Sequence, residues 1–425
     1  MPQLCDDLET VRSYVESGND LARDLARATP AIARILERAL AGTPASPEEG
    51  ILLLGCEGDD LRALIRAADE IRRVDVGERV TYVVNRNINF TNVCFVGCQF
   101  CAFKRQRWEG DAYTHSLESI LERVQEAVDR GATEICMQGG INPDMEPFAY
   151  RDLLLAIKRR FPSLHVHAFS PMEIMYGARR AGMSYVDYLT MLRDAGIGSL
   201  PGTAAEILDD EVRDVLSHKK VTVSTWVEIV TTAHRLGIPT TSTIMYGHIE
   251  TPAHVARHID LLRSIQRDTG GFTEFVPLRF IYLNTMLYQK GLVQPTPTGL
   301  IDMRMYAVSR CMLRGVIDNL QTSWVKLGHG MAQLSLAAGC NDFGGTLMEE
   351  SISREAGADA GEYTSAAEIQ ALVEGMGRIP VERTTLYGRR HHDGADDREA
   401  ARETDRGAGG WSGRGAVSGR AHASH

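Results

Sequence analysis

Along the chain the spacing of apolar positions changes character twice. Between residues 12 and 77, Ala, Leu, Ile and Val recur at helical intervals among Arg and Glu, which predicts helical stretches over 12–42 and 46–77. Ser46 followed by Pro47 marks the start of the second, a hydroxyl suited to cap a first turn and a proline suited to open one. From about residue 79, short β-branched runs alternate with longer helical ones. Strands are predicted at 80–90, 132–140, 163–170, 197–203, 238–247 and 272–280. Helices are predicted at 111–131, 148–162, 184–196, 203–220, 223–237 and 251–270, with Gly131, Gly196 and Gly237 closing three of them in left-handed caps. Strand and helix in strict alternation imply parallel strands joined by right-handed crossovers. Six such units, followed by 317–328 and 341–350, predict an α/β fold, a closed or nearly closed (β/α) TIM-like barrel. A doubly wound open sheet is the alternative. Residues 1–74 are read as an N-terminal helical cap packed on the barrel, or else a docking module, and 75–388 as the barrel itself.

The pattern breaks again at Arg389. The last 37 residues hold seven Gly and no Leu, Ile, Met or Phe. Such a stretch buries too little apolar area to offset ordering, so 389–425 is expected to be disordered. Elsewhere the composition is that of a globular chain. A net charge of −10 lacks the basic field of a general nucleic-acid or membrane-surface binder. No signal peptide or 18-residue apolar span is visible, so a cytoplasmic protein is expected.

Eight cysteines in 425 residues are too few for a disulfide framework. Three of them, Cys94, Cys98 and Cys101, fall in the spacing C-x3-C-x2-C directly after the first strand. Three thiolates on one loop can hold three irons of a [4Fe–4S] cube and leave the fourth open. An open iron can bind a substrate or cofactor, and the amino and carboxylate groups of S-adenosylmethionine can chelate it. A structural zinc site or three unrelated buried cysteines are the other readings, but zinc wants a fourth S or N ligand, the nearest histidine is His115, and three of eight cysteines at this spacing argue against chance. The remaining cysteines, Cys136 included, are read as packing.

This cysteine motif, with Phe100 before its last member and a barrel rhythm behind it, resembles the radical S-adenosylmethionine superfamily. Met137-Gln138-Gly139-Gly140 resembles that family's Gly-Gly motif, whose backbone receives the methionine amino group. Residues 243–250, TIMYGHIE, resemble its adenine-contacting G-x-I-x-G-x-x-E pattern, with Thr243 and Met245 in place of Gly and Ile. The resemblance therefore implies cofactor contacts from Phe100, Gln138, Gly139, Gly140, Met245 and Gly247. Longer strings, among them NRNINFTNVCFVGCQFCAFKR, CMQGGINPD, GSLPGTAAEIL and QTSWVKLG, resemble one branch. It is the tyrosine–diaminouracil hydroxyphenyl transferases of deazaflavin (coenzyme F420) biosynthesis, which in some actinobacteria form the C-terminal half of a fused synthase. This resemblance runs from about residue 30 to Gly388.

The resemblance implies a reaction. A 5′-deoxyadenosyl radical takes hydrogen from L-tyrosine, the Cα–Cβ bond breaks, and the 4-hydroxybenzyl fragment joins C5 of 5-amino-6-(D-ribitylamino)uracil. A partner deazaflavin synthase then closes the ring. Polar residues at strand ends are the candidates for handling these substrates. Glu173, Glu206, His167, Tyr246 and His248 are the proposed catalytic set, with His165, Ser170, Ser199, Thr203, Glu250, Glu274, Gln321, Ser323 and Lys326 as further candidates. Glu173 and Glu206 also have a simpler use as helix N-terminal carboxylates. Two menaquinone-pathway enzymes, aminodeoxyfutalosine synthase and dehypoxanthine futalosine cyclase, share the cysteine loop and are the alternative. A non-catalytic metal-binding assembly partner is the alternative from another class.

Overall fold

The computed structural model describes residues 8–16, 20–296 and 299–390. The expectation for the tail beyond residue 390 lies outside the described residues. Among the described residues eight strands appear in order: β1 (Arg79–Val83), β2 (Asn85–Ile88), β3 (Glu134–Met137), β4 (His165–Ala168), β5 (Thr240–Tyr246), β6 (Phe272–Arg279), β7 (Asp342–Gly345) and β8 (Ile379–Glu382). Every pairing between them is parallel. β1 and β2 form one stave interrupted at Val84. From it the wall runs β2–β3–β4, crosses to Ser199 and Leu200, continues β5–β6, crosses to Leu320 and Gln321, and reaches β7. β7 pairs back onto β1 through Thr81 and Asp342, so the barrel closes with eight staves.

The predicted strand at 197–203 survives only as single-residue bridges at Ser199 and Leu200, and the stretch 317–328 contributes bridges at Leu320 and Gln321 before entering the helix Trp324–Ser335. β8 has no counterpart in the sequence prediction. It adds to the free side of β1, and the residues after it turn into the barrel floor. There the Arg383 guanidinium bonds both carboxylate oxygens of Asp342 (2.5 and 3.2 Å) and Oε2 of Glu274 (3.2 Å).

Local chemistry explains the helices. Ser46 caps the helix Pro47–Leu54 in a reciprocal capping box with Glu49. Gly131, Gly196 and Gly237 have φ of 84°, 99° and 76°. The N-terminal helices pack on barrel helices: Gly58–Val76 against Leu300–Leu313, and Pro47–Leu54 against Pro252–Thr269. They belong with the barrel to one compact unit ending at Gly388. No helix among the described residues is long and apolar enough to cross a membrane.

The predicted helix at 203–220 is a correction. Only Asp210–Ser217 is helical, and Ala204 and Glu206 take left-handed φ of 70° and 41°. Tertiary contacts override propensity here. The buried Arg213 guanidinium collects the carbonyls of Ala204 (2.9 Å), Ala205 (2.5 Å), Ile207 (3.3 Å) and Val221 (2.7 Å). The N–H of Leu208 donates to Nδ1 of His258 (3.0 Å), whose Nε2 donates to the Thr243 carbonyl (3.0 Å). This arrangement needs a neutral imidazole, and burial lowers His258 to about 3.

That depression has a pH signature. The unfolded chain takes up this proton near pH 6.5, the folded chain only far below it. The contribution is complete above pH 6.5 and is lost as pH falls. Between pH 6.5 and 4 the wild type should therefore lose about 3 kcal/mol more than His258→Gln. Thermal unfolding of both proteins at the two pH values measures it, and parallel curves would rule it out.

Candidate active site

Residues 89–105 follow β2 and fold back as a loop at its C-terminal end. The Cys94 N–H donates to the Arg105 carbonyl (3.0 Å), the Arg105 N–H to Asn92 (2.8 Å) and the Phe95 N–H to Ile141 (3.2 Å). Gly97 turns the chain between the first two cysteines at φ 76°, a conformation side chains disfavour. Cys94, Cys98 and Cys101 are free thiols on the wall of a single cavity. Burial pushes Cys98 up to about 12 and raises Cys101. A bound metal reverses that preference by replacing the proton. The Ser217 hydroxyl donates to Sγ of Cys98 at 3.0 Å.

Among the described residues, no three Cys, His, Asp or Glu side chains close around a point as a single metal ion requires. Three soft donors with no fourth cysteine on the loop fit an iron–sulfur cube with one open corner.

The cavity is about 430 Å³, within the range of small-molecule sites, and draws side chains from β1 through β7. At the mouth the cysteine loop packs directly on Gly139 and Gly140. A Cβ on Gly139 would lie 2.5 Å from the Phe90 ring, and one on Gly140 would lie 2.3 Å from the Val93 carbonyl oxygen. Gln138 also lines the cavity, and its Oε1 accepts from Thr203 Oγ1 (2.9 Å). Phe100 and Met245 add apolar wall.

Glu173 both caps its helix and faces the cavity. Its Oε2 accepts from the N–H and Oγ of Ser170 (both 2.7 Å), and Oε1 accepts from the Gly139 N–H (3.1 Å). Burial outweighs these bonds and raises Glu173 to about 7, so it can hold or release a proton near neutrality. Glu206 pairs with Lys220 (2.6 Å) and Arg213 (3.5 Å), and the Lys220 ammonium stands 5.0 Å from the Phe100 ring centroid. His167 lines the cavity, with Nδ1 sharing the Ser199 hydroxyl (2.6 Å) that also meets His165 Nε2 (2.7 Å). Burial brings His167 down to about 4, which makes it neutral at physiological pH. Ser170, Thr203, Glu274, Gln321, Ser323 and Lys326 are also on the wall.

Six of the expected site residues are not: His165, Ser199, Tyr246, Gly247, His248 and Glu250. Strand alternation puts Thr241, Thr243 and Met245 inside, so Tyr246 points outward, where its hydroxyl donates to Asp302 (2.6 Å). Gly247 lies against the Arg279 guanidinium, 2.7 Å from where its Cβ would be. His248 is folded into the turn after β5, with Nε2 on the Met245 carbonyl (2.9 Å) and Glu250 bonded to its N–H (2.8 Å). Tyr246 and His248 therefore do not face the reaction space. Cys136 is the opposite correction, a thiol read as packing that stands on the cavity wall.

Sequence reasoning also missed wall residues. Asn85, Asn87 and Asn89 alternate along β2 and its end, and all three face the cavity. Their period of two was the available signal. Glu134, Lys220, Arg383 and Thr385 carried no such signal.

The comparisons with known proteins agree with this architecture. The Radical SAM superfamily model matches residues 88–262, and a model described as the CofH/MqnC C-terminal region matches 269–395, seven residues past the expected end at Gly388. The chain is 51% identical over 354 residues to the 5-amino-6-(D-ribitylamino)uracil–L-tyrosine 4-hydroxyphenyl transferase of Methanothermobacter thermautotrophicus, covering 83% of this chain and 96% of that protein. It is 50% identical over 391 residues to the FO synthase of Nocardia farcinica, covering 90% of this chain but only 44% of that protein. Among solved structures, methylornithine synthase (PylB) aligns at 19% identity and a TM-score of 0.62, over 81% of this chain and 97% of that one. The [FeFe]-hydrogenase maturase HydG aligns at 17% and 0.66, over 90% and 80%. These two speak to the fold.

A closed parallel barrel with a three-cysteine loop at its mouth is the architecture of the radical S-adenosylmethionine superfamily, which uses a [4Fe–4S] cluster and S-adenosylmethionine. Within that superfamily the chain belongs to the family of the methanogen transferase and the matching portion of the FO synthases.

Proposed function

We propose that the chain cleaves L-tyrosine and joins its 4-hydroxybenzyl group to 5-amino-6-(D-ribitylamino)uracil, forming the precursor of a deazaflavin chromophore. The observation that carries this reading is the pairing of the thiol loop with a polar-walled cavity, in a chain 51% identical to a transferase of that name. Cys94, Cys98 and Cys101 would hold the cluster, and the backbone of Gln138, Gly139 and Gly140 would meet the methionine end of the cofactor. Phe100 and Met245 would flank its adenosyl end. When bound, the cluster and S-adenosylmethionine supply the hydrogen-abstracting radical chemistry.

The chain's own residues then do three things. They exclude water, since the cavity is closed below by the Arg383–Asp342–Glu274 network. They orient tyrosine, for which Lys326 stands on the wall; burial lowers it, and a substrate carboxylate beside it would act in the opposite direction. They handle protons, for which the Glu173 carboxyl at the mouth is poised. Glu206 acts on this space through Lys220, and His167 as a neutral hydrogen-bonding group. A ring-closing synthase would consume the product, in the cytoplasm, where free thiols persist.

Anaerobic reconstitution with iron and sulfide, followed by S-adenosylmethionine, a reductant, tyrosine and the diaminouracil, tests the reading. Mass spectrometry is expected to show 5′-deoxyadenosine and the hydroxybenzyl adduct. Cofactor cleavage without adduct would overturn the substrates and leave the family. Turnover of a futalosine-pathway substrate in their place would favour the menaquinone reading.

A further inference from the structure

The asparagines of the β2 stave do not share one fate. Asn85 is committed on both sides of its amide: Nδ2 donates to Glu134 Oε1 (2.9 Å), and Oδ1 accepts from the Leu347 N–H (2.9 Å). Asn89 is committed likewise, donating to the Gln138 carbonyl (3.2 Å) and accepting from Ser351 Oγ (3.0 Å). Asn87, between them, is different. It faces the cavity, its Oδ1 is buried with no hydrogen-bond partner, and its Nδ2 donates to no protein group among the described residues. A buried carbonyl left unpaired costs about 1–3 kcal/mol. Its two neighbours on the strand avoid that cost within the protein.

The strand register fixes its height. Asn87 pairs with Cys136 on β3, and Cys136 with His167 on β4, so the three form one level of the wall. That level is two residues below Gln138, about 7 Å along the strand. It lies beneath the mouth where the cofactor is proposed to sit. The next two residues along that level are uncharged at neutral pH, a thiol raised by burial and an imidazole lowered by it. A site of this kind suits a neutral polar ligand more than an ammonium or a carboxylate.

Whichever way it is turned, an amide presents an acceptor and a donor side by side. Its complement is a ligand edge with an N–H next to a C=O. Tyrosine offers that pairing only through its charged ammonium and carboxylate, which the uncharged surroundings do not favour. The diaminouracil ring has such edges at N1–H and C2=O and along its imide, and the imide is the one across the ring from the ribitylamino group. We propose that Asn87 recognises the imide edge of the diaminouracil, accepting from ring N3–H and donating to an adjacent ring carbonyl. The pyrimidine would then lie at the Asn87–Cys136–His167 level. This inference rests on the proposed function.

The test uses the reconstituted enzyme, both substrates and an N3-methyl analogue of the diaminouracil. A bidentate amide–base pair is worth roughly 10- to 100-fold in discrimination. Asn87→Ala should raise KM for the diaminouracil by about that factor and leave KM for tyrosine within about twofold. The wild type should reject the N3-methyl analogue, and the variant should not distinguish it from the parent. If Asn87→Ala does not fold or load its cluster, the isosteric Asn87→Asp, which lacks the donor, serves the same comparison. An unchanged KM for the diaminouracil, a raised KM for tyrosine instead, or retained rejection of the analogue would each overturn the assignment. A wild type that makes no adduct at all fails at the proposed function. A wild type that makes it, with Asn87 indifferent, fails only here.

Discussion

Cys98→Ala is expected to give a folded but colourless protein after reconstitution, without S-adenosylmethionine cleavage. Cys98 is the middle one of the three proposed ligands, is buried where Cys94 and Cys101 are half-buried, and its sulfur already accepts a hydrogen bond from Ser217 at 3.0 Å. Two remaining thiols cannot keep a cube whose fourth iron must stay open. The fold should survive, because the loop is pinned by backbone bonds of Cys94, Phe95 and Arg105 that do not involve the Cys98 side chain. Visible absorbance, iron content and 5′-deoxyadenosine release measure the result. Cys340→Ala is the matched control, since it removes a fully buried thiol that is not on the cavity wall and should keep the colour. A brown, active Cys98→Ala protein would refute the ligand assignment.

Gly140→Ala is expected to be nearly as damaging, although it adds one methyl group. The new Cβ would lie 2.3 Å from the Val93 carbonyl oxygen, 2.8 Å from its carbon and 2.9 Å from Cys94 Cβ. The first two are backbone atoms and the third is the Cβ of the first proposed ligand, and none can swing aside as a side-chain tip would. Gly140 cannot retreat either, because its N–H is bonded to the Thr91 carbonyl at 2.8 Å. Overpacking of this kind costs about 1–3 kcal/mol. The same displacement moves Cys94, so cluster loading should fall with the melting temperature. Gly110→Ala, with nothing within 4 Å of its Cβ and no positive φ, should change neither. Normal iron content in Gly140→Ala would show that the loop tolerates the shift.

Much of this site was legible along the chain because it is built from local spacing. The three cysteines lie within eight residues, and the Gly139–Gly140 pair ends a strand directly opposite them. The Glu173 capping box could be anticipated from Ser170 three residues earlier, but not that the same carboxyl also reaches Gly139 and is raised to about 7. Tyr246 and His248 were misjudged because proximity to a strand end says nothing about which face a side chain takes. One residue of phase in β5 separates Met245, on the wall, from Tyr246, behind it.

By itself the sequence determined the alternation of strands and helices, the capping of the helices and the ligand spacing of the thiol loop. All of these depend on residues within a few positions of one another. Only the tertiary structure decided how the barrel closes, through single-residue bridges at Ser199, Leu200, Leu320 and Gln321 that carry little strand signal. Only it brought Arg383 onto Asp342 and Glu274, held residues 204–208 out of a helix on Arg213, and left the Asn87 amide unpaired between two paired neighbours. Those outcomes depend on which distant groups supply the hydrogen bonds each segment needs, and a buried polar group takes its conformation from its partner rather than from its neighbours in sequence.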